Sequence, residues 1–224
     1  MTPLNAVVCV LLFAAAAGRA ENAGTPLTLD LPKPCKQGTP LPFKYYTERV
    51  KNIDAGSTNA PPRLLLPEGA AILSRGRPVT SSDAYPIVGE LAQVTDGDKE
   101  GIDGSFVELG PDTQWVQIDL GAEAQVDAVV LWQHHSEPYR VYHDVIVQVS
   151  NDPDFIEGVT TILNTDDDNS SGLGAGRDPS WLGLHWGRPV AANGVRARHV
   201  RCHSRGNTSN DMNHYIEVEV WGRP

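Results

Sequence analysis

Cysteine is scarce in this chain. Three occur in 224 residues, at positions 9, 35 and 202, and no Cys-x-x-Cys or Cys-x-x-Cys-His spacing is present. Zinc ribbons and covalently attached haem are thereby excluded. Positive charge is also in the minority, with 18 Lys and Arg against 28 Asp and Glu, for a formal net charge of −10. No Lys/Arg run makes a local exception, so nothing draws the chain toward phosphate backbones or anionic lipid, and nucleic acid is not an expected partner. No amphipathic period of 3.6 residues persists for three turns, which argues against a helical body. Neither a nucleophile elbow nor a His-Glu-x-x-His motif occurs. What the chain does have is 40% hydrophobic residues, enough to build one packed core with appendages.

The one sustained apolar stretch covers residues 6–17 and is followed by Gly18, Arg19 and Ala20. It falls short of the roughly 20 residues a bilayer span requires. Small residues at 18 and 20 offer a signal-peptidase site before Glu21, so residues 1–20 are expected to be a secretory signal, although no Lys or Arg precedes the apolar run. A buried N-terminal helix is the alternative. Export as a free soluble protein, periplasmic or extracellular, is the expectation. Cleavage would leave Cys35 and Cys202. An oxidising compartment permits a disulfide between them, while the alternation of Cys202 with Val200 equally suits a buried free thiol.

Residues 21–67 are rich in proline and glycine and form an expected extension, not an independent domain. Its apolar runs at 27–31 and 64–66 could each dock as an edge strand. From about residue 68 the texture changes to short strand-like runs between polar, Gly-rich turns. Residues 115–120 alternate, with Val116, Ile118 and Leu120 on one face. Residues 126–132 are nearly continuous in apolar side chains, as in a strand covered on both sides. Val145, Val147 and Val149 alternate again before a turn at Asn151-Asp152-Pro153. In the last run Ile216, Val218 and Val220 are expected inward, and Glu217, Glu219 and Trp221 outward. The fold class expected is all-β, an antiparallel β-sandwich or jelly roll with a Pro-rich N-terminal extension.

Particular runs sharpen this. Leu73-Ser74-Arg75-Gly76-Arg77-Pro78-Val79-Thr80-Ser81-Ser82, Val94-Thr95-Asp96-Gly97-Asp98, Trp115-Val116-Gln117-Ile118-Asp119-Leu120-Gly121, Val147-Gln148-Val149-Ser150-Asn151-Asp152 with Phe155, Ala197-Arg198-His199-Val200-Arg201 and the closing Ile216-Glu217-Val218-Glu219-Val220-Trp221-Gly222 occur in that order. Together they resemble the discoidin, or coagulation factor 5/8 type C, domains of the galactose-binding-like sandwiches, over residues 68–224. The resemblance implies loops at one end that bind a ligand, most often a glycan and sometimes a lipid head group or a protein. It also implies a binding module and no chemistry.

Candidate sites follow from residue types and from that resemblance. Asp96 and Asp98 flank Gly97 on a tight turn and offer hard oxygen ligands for Ca²⁺; the bland alternative is a solvated Asp-Gly turn. The resemblance adds Glu217 as a further ligand, though Gly101 stands where relatives carry a threonine. Asp167, Asn169, Ser171 and Asp178 satisfy the spacing of an EF-hand loop, but without flanking helices. For glycan recognition, the 134–143 link supplies aromatic faces and fork-like donors. There His134, His135 and Arg140 lie nearest the sugar-binding positions of relatives, and Tyr139 adds a ring. Asn207, Asn210 and His214 come from a second loop. A zinc or copper site on the clustered histidines is the minor alternative. The loops are polar and acidic, so membrane insertion is not expected. The expected function is a secreted, non-catalytic carbohydrate-binding module holding one structural calcium. The alternative is a protein-interaction or cell-adhesion module with the extension as docking segment and an extracytoplasmic protein as partner.

Overall fold

A computed structural model describes residues 24–36 and 38–224. The expected signal segment at residues 1–20, with Cys9, lies outside the described residues. In chain order the elements are β1 (Thr25–Pro26), α1 (Phe43–Thr47), β2 (Leu65–Leu66), β3 (Ala71–Ile72), β4 (Val79–Ser81), a 3₁₀ turn (Leu91–Thr95), β5 (Val107–Leu109), β6 (Gln114–Trp132), β7 (Ile146–Ser150), β8 (Thr160–Asn164), β9 (Arg188–Ser204), β10 (Asn213–Tyr215) and β11 (Glu217–Arg223).

The main sheet has the order β3-β11-β6-β9-β7-β8, with β4 also on β6. Its spine is the antiparallel pair β6–β9, whose register shifts between Asp119 and Ala124. The first half of β6 pairs with β4, and its second half with β11. Residues expected as two separate strands, 115–120 and 126–132, are therefore one long strand with a break. The alternation read from the sequence decides what each half buries. Val116, Ile118 and Leu120 meet Val129, Leu131, Val147, Val149, Val200, Val218 and Val220 in a single core. Each such side chain contributes about 1.5–3 kcal/mol of apolar burial. β5 and β10 pair with each other and bring Val107, Leu109 and Tyr215 to the same core.

Two expectations fail at β11. Glu217 and Glu219 are not outward in solvent but fully buried. Their face is covered by the segment after the 3₁₀ turn, where Gly97 N donates to Glu217 Oε2 at 2.9 Å and Lys99 Nζ to Glu219 Oε1 at 2.7 Å. Ile216 does not join the core of Val218 and Val220. It packs with Trp132, Ala128 and Val130 in a second cluster, because the chain breaks between β10 and β11.

The extension docks differently from the edge strands expected. Its two apolar runs pair with each other as β1 and β2, and Leu27 and Leu66 press onto the Trp132–Ile216 cluster. A third cluster joins Tyr46 and Val50 of the extension to Val141 and Leu182. Tyr46 Oη donates to Tyr139 O at 2.7 Å.

The disulfide reading is corrected. Cys35 and Cys202 are both buried and both free. Cys202 belongs to the sandwich core between Val200 and Val147, while Cys35 O accepts Glu137 N at 3.2 Å in the extension. Burial pushes the Cys202 thiol up to about 12, so it is an inert thiol in the core.

Candidate ligand-binding site

Of the residues expected to grip a glycan, His134, His135, Asn207 and His214 are packed into the protein. His134, His135 and His214 are buried, His135 completely. His135 Nε2 donates to Lys99 O at 2.9 Å and latches the 97–101 segment to the sandwich. The rings of His134, His214, Phe106 and Tyr142 pack edge to face, with centroids 5.1 to 5.9 Å apart. Burial, with Arg140 adding to it, pushes His134 and His214 down to about 3. Both imidazoles are therefore neutral at physiological pH, and His214 Nε2 donates to Glu108 Oε2 at 2.9 Å. Arg140 Nη1 lies 3.3 Å from His214 Nε2. Asn207 is buried and spends its amide on its own loop, reaching Asn210 Oδ1 and Met212 O. Asn210 is exposed, and Arg140 and Tyr139 are half-buried. These loops thus meet at the same end of the sandwich, but the imidazoles point into it. All three are packed into the sandwich, and His134 Nδ1 and His135 Nδ1 have no partner among the described residues.

The rim does form a cleft, of about 370 Å³, between the extension and the loops that flank β7 and β9. Arg49 and Lys51 line it on one side, His143, Asp144 and Asp168 on another, and Arg205 and Asp211 close it. Exposed carboxylates opposite guanidinium groups can read hydroxyls as acceptor and donor at once. Asp144 and Asp168 of the cleft and the buried Asp166 place carboxylate oxygens within 4.8 Å of one another. Burial raises the Asp144 carboxyl, with Asp166 and Asp168 adding to the shift, and Ser170 Oγ donates to it at 2.7 Å.

The EF-hand spacing is corrected here. Asp166, not Asp167, organises the loop, accepting the N–H groups of Asp168, Ser170 and Ser171. Asp167 is exposed, Asn169 Oδ1 accepts Gly174 N, Ser171 Oγ donates to Asp166, and Asp178 accepts Asn164 N. Without helices to splay its ends, the loop closes on its own backbone donors. Asp144 and Arg205 were missed as rim residues because they reach the cleft from opposite ends of paired strands, a proximity that no local spacing encodes.

The Asp96 turn is assembled as expected in part. Gly97 has φ +90°, a backbone conformation that favours glycine. Arg75 Nη1 donates to Asp96 O at 3.0 Å. Glu217 arrives at the turn, and burial pushes its carboxyl up to about 8, Gly97 N and Arg75 opposing the shift. Its Oε1 is buried and has no partner among the described residues. A cation fits that orphaned oxygen. Asp98 turns away, accepting Glu100 N and Ser105 Oγ, so Asp96, Asp98 and Glu217 do not converge as a carboxylate trio.

Against this geometry, residues 93–176 match the family model described as a NedA-like, galactose-binding domain. Over those residues the chain is similar to that family. Among solved structures, a family 89 glycoside hydrolase from Clostridium perfringens, in complex with its substrate GlcNAc-α-1,4-galactose, aligns with TM-score 0.51 and 20% identity over 68% of this chain. The alignment spans 14% of the hydrolase. The family 32 carbohydrate-binding module of AlyQ, solved with 4,5-unsaturated mannuronic acid, gives 0.49 and 18% over 64% of this chain and 92% of the module. A fucose-binding module from Streptococcus pneumoniae gives 0.48 and 15% over 69% and 99%. No curated protein matches the chain. At 20% identity the likeness to the hydrolase shows the fold alone, that of an antiparallel β-sandwich.

Proposed function

We propose that the protein is a secreted, non-catalytic carbohydrate-binding module whose glycan site is the rim cleft between Arg49, Lys51, His143, Asp144, Arg205 and Asp211. The observation that carries the reading is the placement of opposed guanidinium and carboxylate groups at the loop end of a galactose-binding-like sandwich. Arg205 and Asp211 are both exposed there and belong to neighbouring turns, so one can donate to a hydroxyl while the other accepts from its neighbour. The cleft carries both signs of charge, with Asp144, Asp167, Asp168 and Asp211 against Arg49, Lys51 and Arg205, which favours polar glycans. The extension is a poor docking segment for a protein partner, since Leu27, Tyr46, Val50 and Leu66 are spent on its own sandwich.

One calcium ion is part of the proposal. Glu217 Oε1, Asp96 and the turn that holds Gly97 would hold it, and it would supply a charge that fastens the turn to β11. A glycan array followed by calorimetry tests the main reading. Specific glycan binding weakened about tenfold or more by Arg205→Ala and by Asp211→Ala is expected, at about 1.4 kcal/mol per tenfold. Binding that ignores both substitutions overturns the assignment of the cleft.

A further inference from the structure

We propose that the seam between the extension and the turn preceding β9 is a second carbohydrate site, shaped for one neutral pyranose ring. The choice of ligand class rests on the carbohydrate reading above; the location does not. A cleft of about 280 Å³ lies there, walled by Asp54, Ser57 and Asn59 from the extension and by Trp181, Trp186 and Arg188 from the sandwich.

Both walls are fixed before any ligand arrives. Asp54 N donates to Ser180 O and Ser180 N to Asn52 O, each at 2.8 Å, around a parallel bridge of Ile53 with Ser180. On the other side Trp132 Nε1 donates to His185 O at 3.1 Å. Gly187, at φ +67°, lets the turn lie flat on the Trp132 ring, where a Cβ would come within 2.5 Å. Trp186 is thereby presented at a set height, with the His185 ring 3.9 Å from it. A preorganised site loses little freedom on binding.

The chemistry of the walls is that of hydroxyl recognition. Trp186 is half-buried and offers part of its indole to sugar C–H groups, while Trp181 is buried. Arg188 lies with its guanidinium carbon 5.1 Å over the Trp181 ring and its Nη1 3.6 Å from Asp54 Oδ2, a long ion pair; Asp54 Oδ1 accepts Gly56 N at 2.8 Å. Guanidinium beside carboxylate suits two adjacent hydroxyls, one accepting and one donating. Two donors on these walls are orphans. Ser57 Oγ and Trp186 Nε1 are buried without a partner among the described residues, and Ser57 is 8% exposed as a whole. One Asp and one Arg cancel in charge, so the site has no net attraction for an acidic sugar.

The test is titration of the full chain with galactose and, separately, N-acetylglucosamine, read by calorimetry and by the indole N–H resonances, with Trp186 assigned through Trp186→Phe. A saturable downfield shift of the Trp186 indole proton is expected. Affinity should fall at least tenfold in Trp186→Ala and in Arg188→Gln; Asp54→Asn, which preserves shape, serves if either seam variant fails to fold. If the neutral sugars bind but only Arg205→Ala weakens them, the seam site is overturned and the carbohydrate reading stands. Binding of acidic glycans alone would overturn the seam site in the same way. If no glycan of either kind binds, both fall.

Discussion

Burial holds His134, His203 and His214 at about 3, with Arg140 or Arg201 adding to the shift. In the unfolded chain each would titrate near its ordinary value of 6.5. The unfolded state therefore binds more protons between those limits, and folding stability is present above pH 6.5 and lost as pH falls toward 3. Each imidazole contributes a slope of about 1.4 kcal/mol per pH unit in that window. Urea unfolding between pH 7 and 4 should show this slope, and His214→Phe should flatten it by one proton; an unchanged slope would sink the burial account. Glu217 poses the opposite problem, a buried carboxyl with one oxygen unpartnered. If calcium satisfies it, saturating Ca²⁺ should raise the melting temperature over a chelated sample. At a hundredfold excess over Kd the linkage is worth about 2.7 kcal/mol. Glu217→Gln should abolish the difference, and an identical midpoint with and without chelator in the native chain would count against the ion.

At the scale of elements, what was legible in the sequence was whatever alternates. Val116, Ile118 and Leu120, or Val145, Val147 and Val149, choose their own face, because a pleated strand offers only two. Residues 27–31 and 64–66 carry no such pattern, and a short apolar run does not say which surface will cover it. They found each other, as β1 and β2, and then the outer face of β6 and β11. The same ambiguity hid the burial of Glu217 and Glu219: alternation set them on the face opposite Val218 and Val220, and nothing local announced that Lys99 and Gly97 would cover that face. At the site, the turn of Asp96 and the rim loops were readable as polar turns, but which side chains face solvent depends on packing between distant segments. The β1–β2 docking yields a prediction. Leu66→Ala should cost about 2–5 kcal/mol, and in hydrogen exchange it should release β1 and β2 before the β6–β9 spine.

The whole molecule is a sandwich wrapped by its own N-terminal extension. Three clusters share the burial: one inside the sandwich, one between Leu27, Leu66 and the Trp132–Ile216 face, and one between Tyr46, Val50 and the Val141–Leu182 face. The extension thus supplies one side of two of the three, as well as Arg49 and Lys51 at the rim and Asp54 and Ser57 at the seam. A chain beginning at residue 68 would keep the first cluster whole and bare the partners of the other two. Exposed contiguous apolar surface of that kind binds dye and self-associates. Residues 68–224 alone should therefore retain strand signal in circular dichroism, bind a hydrophobic dye, unfold at lower urea than the full chain and lose binding at both clefts. Unfolding at the same urea concentration, with no dye bound, would mean that the extension is an ornament on an independent domain and not a layer of its core.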